Sequence, residues 1–225
     1  SYPLAILLSM VSLAAIGIAI ERGVFRPLSG NLRNQVIASL GLILAIENLV
    51  VALWGPNALQ FKVATTEMLV SVGELRFSVH HLGIIVITLA MVALLGLFLK
   101  FTRFGTAIRA TSQSREAAMV VGIPVERVHW STFAIGTMLA ALGGALIGPL
   151  FLVFPQMGDV PLVKGLAGIL LGGMGSVPGA VVGGMIIGVV ESVSTLYLPT
   201  DYRDSIAFLA MVAILLLRPQ GLFGV

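Results

Sequence analysis

The chain has 225 residues, of which 58% are apolar and 10% charged, with 26 glycines and a mean hydropathy of +1.06. Its 13 basic and 10 acidic side chains are too few to cover a water-soluble surface, which excludes a soluble enzyme and points to an all-α, polytopic bundle of membrane helices. Without cysteine and with three histidines there are no disulfides and little material for a metal centre, and the net charge of +3 carries no basic and aromatic cluster of the kind nucleic acid needs.

About 20 apolar residues cross a bilayer, so the apolar runs are cut where charges, prolines and polar clusters interrupt them. The predicted segments are 2–20, 36–54, 82–99, 129–153, 162–174, 178–198 and 205–217, about seven in all. The opening segment has no methionine and no basic lead, so it reads as a membrane helix, not a signal peptide, in a chain lacking its natural N-terminus. Segments 162–174 and 205–217 are too short to span unaided, and the former is predicted to be a half-helix or re-entrant element.

Alternating the connections puts Arg22, Arg26, Arg33, Lys100, Arg103, Arg109, Arg115, Arg127 and Arg218 on one side, against Lys62, Arg76, Lys164 and Arg203 on the other. The positive-inside rule makes the richer side cytoplasmic. Trp54 and Trp130 lie at span ends as interfacial anchors, and His80, His81 and His129 are expected at the interface too. On the outer side, the alternation Glu74-Leu75-Arg76-Phe77-Ser78-Val79 predicts a small hairpin or strand.

The connection Lys100–Val128 is predicted to hold a short helix over about 113–122, with Glu116 early and Gly122-Ile123-Pro124 as its stop. Composition alone allows it to be an interfacial helix whose arginines meet lipid head groups. Glycines at four-residue spacing (Gly144 and Gly148, Gly168 and Gly172, Gly179 and Gly183, Gly184 and Gly188) predict close helix packing in the second half. The cluster Gly172 to Gly179, including Gly175, reads as a tight turn. It lacks the Gly-Lys-Ser/Thr ending of a phosphate-binding loop, so any driving nucleotide is hydrolysed on another polypeptide.

Glu47 and Glu191 are the carboxylates inside apolar spans, each about 10 Å from the outer end of its helix at a rise of 1.5 Å per residue. Charges there are functional candidates. Either faces a pathway and meets a substrate ammonium, or it holds helices together with Asn48, Ser192 and Ser194 as polar partners.

Glu116-Ala117-Ala118, followed after three residues by Gly122-Ile123, resembles the EAA loop of ABC importer permeases. Glu21-Arg22-Gly23-Val24-Phe25-Arg26-Pro27-Leu28, Gly172-Gly173-Met174-Gly175-Ser176-Val177-Pro178-Gly179-Ala180 and Arg218-Pro219-Gln220-Gly221-Leu222-Phe223-Gly224 stand in order along the chain and resemble the membrane subunits of branched-chain amino acid ABC importers. The resemblance implies a permease domain over 1–225, preceded by further helices. It implies ATPase-driven alternating access across the inner membrane, with Arg115, Glu116, Ala117, Ala118, Gly122 and Ile123 coupling to the ATPase. It also implies no cofactor in this chain, ATP and Mg bound on two ATPase subunits, a second permease subunit and an extracytoplasmic solute-binding protein. Relatives that move urea or short amides share much of the pattern. From other classes, a passive channel or an intramembrane enzyme is the alternative, the latter resting only on the matched depth of Glu47 and Glu191.

Overall fold

The computed structural model describes residues 2–60, 69–72, 75–173 and 175–197, the strands by backbone alone, together with Ser205, Phe208, Leu209, Met211, Val212, Leu216, Gly221 and Leu222. Most of the predicted segment 205–217, and the family motif's Met174, Arg218, Pro219, Gln220, Phe223 and Gly224, lie outside them. The chain divides into two compact units, residues 1–155 and 156–225.

In the first unit, α1 (Tyr2–Ile20) runs on into a π-helical turn, Glu21–Phe25, closed by the Arg26 amide donating to the Glu21 carbonyl at 2.7 Å. Pro27, which has no amide hydrogen to give, ends the helical ladder. Helix α2 (Leu32–Trp54) starts a turn earlier than its apolar run because Asn31 caps it, its side chain accepting from the Asn34 amide. Strands β1 (Leu69–Val72) and β2 (Leu75–Ser78) pair antiparallel, as the alternating pattern led us to expect. Ser78 then caps α3 (Val79–Phe101). Thr102 ends α3 and starts α4 (Arg103–Gln113): its hydroxyl donates to the Phe98 carbonyl at 2.7 Å and accepts from the Gly105 amide at 2.9 Å. A side chain at Gly105 would strike the backbone of Phe98 and Leu99, so this reversal needs glycine. After α5 (Arg115–Val120) comes α6 (Val125–Ile147), extended by one 3₁₀ turn to Leu150.

The core of this unit lies between α1, α3 and α6, where Met10, Ala141, Leu142 and Leu146 pack with Ile6, Ile84, Met91 and Met138. Gly17 lets α1 approach α6, since a Cβ there would overlap Thr137. Helix α2 packs on the π-helical turn and buries none of its residues.

The second unit is built on a hairpin of α7 (Asp159–Gly172) and α8 (Val177–Tyr197). At 14 residues, α7 is about 21 Å long, short of a bilayer core of about 30 Å, as a half-helix should be. The backbones touch along a glycine seam. A Cβ on Gly172 would overlap the Gly179 carbonyl, one on Gly183 the Gly168 carbonyl, and one on Gly168 would lie 3.2 Å from the Gly184 Cα. Gly173 and Gly175, at φ +102° and +92°, make the turn. Leu171, fully buried, packs with Ala167, Ile187, Phe208, Met211 and Leu222. The predicted pair Gly144 and Gly148 behaves differently: Gly144 is exposed with open space around it, while Gly148 is buried at the 3₁₀ turn.

Five helical stretches are long and apolar enough to span a membrane: Tyr2–Phe25, Leu32–Trp54, Val79–Phe101, Val125–Leu150 and Val177–Tyr197. They coincide with the five long predicted segments, with α7 as the short one.

Candidate functional site

The connection between α3 and α6 folds as two helices, where the sequence reading placed one over 113–122. Ser114 divides them. Its backbone is extended, and its hydroxyl accepts from the Ala117 amide at 3.2 Å, so six residues, Arg115–Val120, form the second helix. The stop is a Schellman motif: the Gly122 amide donates to the Met119 carbonyl and the Ile123 amide to the Ala118 carbonyl, both at 3.0 Å. Gly122 has φ +80°, the left-handed conformation its position before Ile123-Pro124 suggested. Arg115, Glu116 and Ala117 are exposed. Ala118 is not; at 3% exposure it packs within the chain and has no surface to offer a partner. The outward apolar face belongs instead to Met119, Val120 and Val121, of which Val120 is 88% exposed. Sequence reasoning passed over these three because an apolar triplet beside apolar spans carries no signal of its own.

This helix is joined to α6 through Gly122-Ile123-Pro124, and the start of α6 is clamped to the end of α1. Arg26 donates to Glu126 at 2.7 Å, the Arg22 guanidinium lies 5.2 Å from the Trp130 ring centre, and the Phe25 and Phe133 rings are 5.4 Å apart. The motif Glu21 to Leu28 is therefore a bracket holding the first span to the one that carries α5. At the far end of the same helices, Tyr2 donates to the Ala145 carbonyl at 2.7 Å and His80 Nε2 to the Leu146 carbonyl at 3.1 Å, satisfying groups that the end of α6 leaves open. His80 is thus buried at the start of α3 and bonded within the chain, while His81 and His129 are exposed.

Glu47 is half-buried on α2. Asn48, expected to support a carboxylate, instead donates to the Leu44 carbonyl of its own helix at 2.7 Å. Glu191 is held by a residue the sequence reading counted among the outer charges, at the start of the short segment 162–174: Lys164 sits on the second turn of α7, and its Nζ is 2.6 Å from Glu191 Oε1. Their side chains are 23% and 8% exposed. Ser194 donates to the backbone carbonyl of Glu191, not to its carboxylate. The signal for Lys164 was its register: with Gly168 and Gly172 it follows a four-residue spacing, which stacks one helix face.

The terminal motif returns to the glycine turn. The Leu222 amide donates to the Leu171 carbonyl at 2.9 Å, and a Cβ on Gly221, at φ +78°, would lie 2.6 Å from Gly173.

Several membrane-length helices, a short capped helix on a connecting loop and an ion pair held between apolar helices are the features of a polytopic membrane protein of the transport class. The family model described as branched-chain amino acid transport system / permease component matches residues 1–215, and the chain belongs to that family. It is 32% identical over 223 residues to the high-affinity branched-chain amino acid transport system permease protein LivH of Salmonella typhimurium, covering 96% of this chain and 72% of that one. It is 30% identical over 224 residues to BraD of Pseudomonas aeruginosa, of the same description, with the same coverage. The autoinducer 2 import system permease protein LsrC of Yersinia enterocolitica is 29% identical over 190 residues, 80% of this chain and 51% of that protein. No solved structure matches. The chain is a multi-pass membrane protein.

Proposed function

We propose that this chain is the membrane permease subunit of an ATP-binding cassette importer that moves branched-chain amino acids across the inner membrane. The observation that carries the reading is the capped helix α5, rigidly joined to a long span, in a chain whose family match runs over residues 1–215. A short helix closed at both ends and showing Met119, Val120 and Val121 outward is suited to docking in a protein cleft. Its loop carries Arg103, Arg109, Arg115 and Arg127, so the positive-inside rule places it in the cytoplasm, where an ATPase would meet it.

In this reading Arg115, Glu116, Ala117, Gly122 and Ile123 couple the permease to ATPase subunits that bind ATP and Mg, and a second permease subunit and an extracytoplasmic binding protein complete the importer. Closure of the ATPases moves α5. Because Gly122-Ile123-Pro124 is short and the Arg26–Glu126, Arg22–Trp130 and Phe25–Phe133 contacts tie α6 to α1, that movement tilts both spans together and switches access from outside to inside. No bond in the solute is made or broken. Glu47, Asn48 and Glu191 are the candidates for the pathway, where at least one carboxylate would meet the ammonium of a zwitterion; Glu191 already has Lys164 as its counter-charge.

The test is uptake by the assembled complex in vesicles containing internal ATP. Labelled leucine, isoleucine or valine should accumulate, and unlabelled urea or autoinducer 2 should not compete. ATP-dependent uptake of labelled urea or autoinducer 2, with no leucine uptake, would replace the substrate while leaving the permease reading in place.

A further inference from the structure

A cleft of about 370 Å³ opens beside the α1–α6 bracket, lined by Glu21, Arg22, Arg26, Arg115, Glu126 and Arg127 among others. Its guanidiniums outnumber its carboxylates, and the groups differ in how they are engaged. Glu126 is taken up by Arg26, and Arg22 lies over Trp130. Arg115 and Arg127 make no ion pair among the described residues. Glu21 is the unusual member: it is 8% exposed, in the π-helical turn, and no described residue gives its carboxylate a hydrogen bond or a counter-charge. A buried carboxylate next to unengaged arginines fits a ligand that carries both signs, with an oxyanion for the arginines and a cation for the acid.

The cleft shares His129 with an adjoining groove of about 540 Å³, whose walls are largely apolar and include Ile108, Val128, Phe133 and Gly136. The cleft lies at the ends of the apolar stretches Tyr2–Phe25 and Val125–Leu150, and the groove runs from it along the first half of the latter. A charged cleft continuous with an apolar groove at the end of a membrane span suits an amphiphile better than a free anion. We infer that this is a binding site for a phosphatidylethanolamine-type lipid, its phosphodiester held by Arg115 and Arg127, its primary ammonium on Glu21 and part of an acyl chain in the groove. Since Arg115 is the first residue of α5, the lipid would order that helix from the bilayer side.

The inference is tested on the full-length permease purified with its subunits, by native mass spectrometry against equal amounts of phosphatidylethanolamine, phosphatidylglycerol and phosphatidylcholine. Phosphatidylethanolamine should be retained about tenfold over phosphatidylcholine, whose quaternary ammonium cannot donate to Glu21. Glu21→Gln should abolish that preference while phosphate-dependent binding persists, and Arg127→Gln should weaken both zwitterionic lipids about tenfold, with Arg127→Lys retaining most of it. Soluble phosphoethanolamine at matched concentration should not displace the lipid. Preference for phosphatidylglycerol, unchanged retention in both Gln variants, or displacement by soluble phosphoethanolamine would overturn the assignment. So would loss of subunit copurification in Arg127→Gln with lipid retention intact, because the arginine would then serve a protein.

Discussion

Glu191 shows how far a single residue could be read. A carboxylate in an apolar span announces that it must be paired or used, and the pairing is there, but the partner was legible only in part. Lys164 was already inside the predicted short segment 162–174, but hydropathy made it only an end charge; with α7 beginning at Asp159 it stands on the second turn, facing Glu191. The pair is mostly withdrawn from solvent, so removing one charge costs more than removing both, by about 3 kcal/mol for a buried pair. Glu191→Gln should therefore lower the thermal midpoint of the detergent-solubilised protein more than Lys164→Met combined with Glu191→Gln, measured by tryptophan fluorescence. Equal losses would show that the ion pair adds nothing beyond its shape. Glu47 separates function from structure in the same assay family: a pathway role predicts that Glu47→Gln alters the apparent affinity of leucine uptake, whereas a role confined to holding helices predicts a lower midpoint with that affinity unchanged.

At the scale of elements, long apolar helices were the clearest features in the sequence and the short polar ones the least. The five spans fall where hydropathy put them, whereas α4 was missed because Arg103–Gln113 mixes apolar and polar residues without a run. The ends of α5 were half visible. Gly122 declared its turn, but Ser114 is only a hydroxyl until its bond to Ala117 is seen. The burial of Ala118 redirects the mutational test: a bulky residue there would disturb the chain's own packing and could not isolate docking. Val120→Asp changes the exposed face alone and is expected to leave the folding stability within about 0.5 kcal/mol of wild type while abolishing ATPase copurification. Gly122→Val forces a β-branched residue to φ +80°, costing at least about 1–2 kcal/mol, and should preserve membrane insertion while uncoupling ATP hydrolysis from uptake. Normal copurification with Val120→Asp and normal coupling with Gly122→Val would together remove α5 from the docking role.

For the whole molecule, contacts within residues 1–155 place the connection after α1 and the one before α6 at one end of these helices, and Tyr2, His80 and the end of α6 at the other. In a chain with no cysteine, a single cysteine at Ser112 should react with an impermeant maleimide only from the cytoplasmic face, and one at Asn57 only from the outside. The reverse pattern would invert the orientation. What no reading of periodicity could supply was the contact between distant motifs, because hydropathy records the face a residue turns and not what it meets. Gly221 meets Gly173, and Leu222 bonds Leu171, across some fifty positions of sequence. In hereditary terms the glycine turn and the terminal motif form one unit: drift at either site is permitted only with compensation at the other, so aligned relatives should gain and lose the two glycines together.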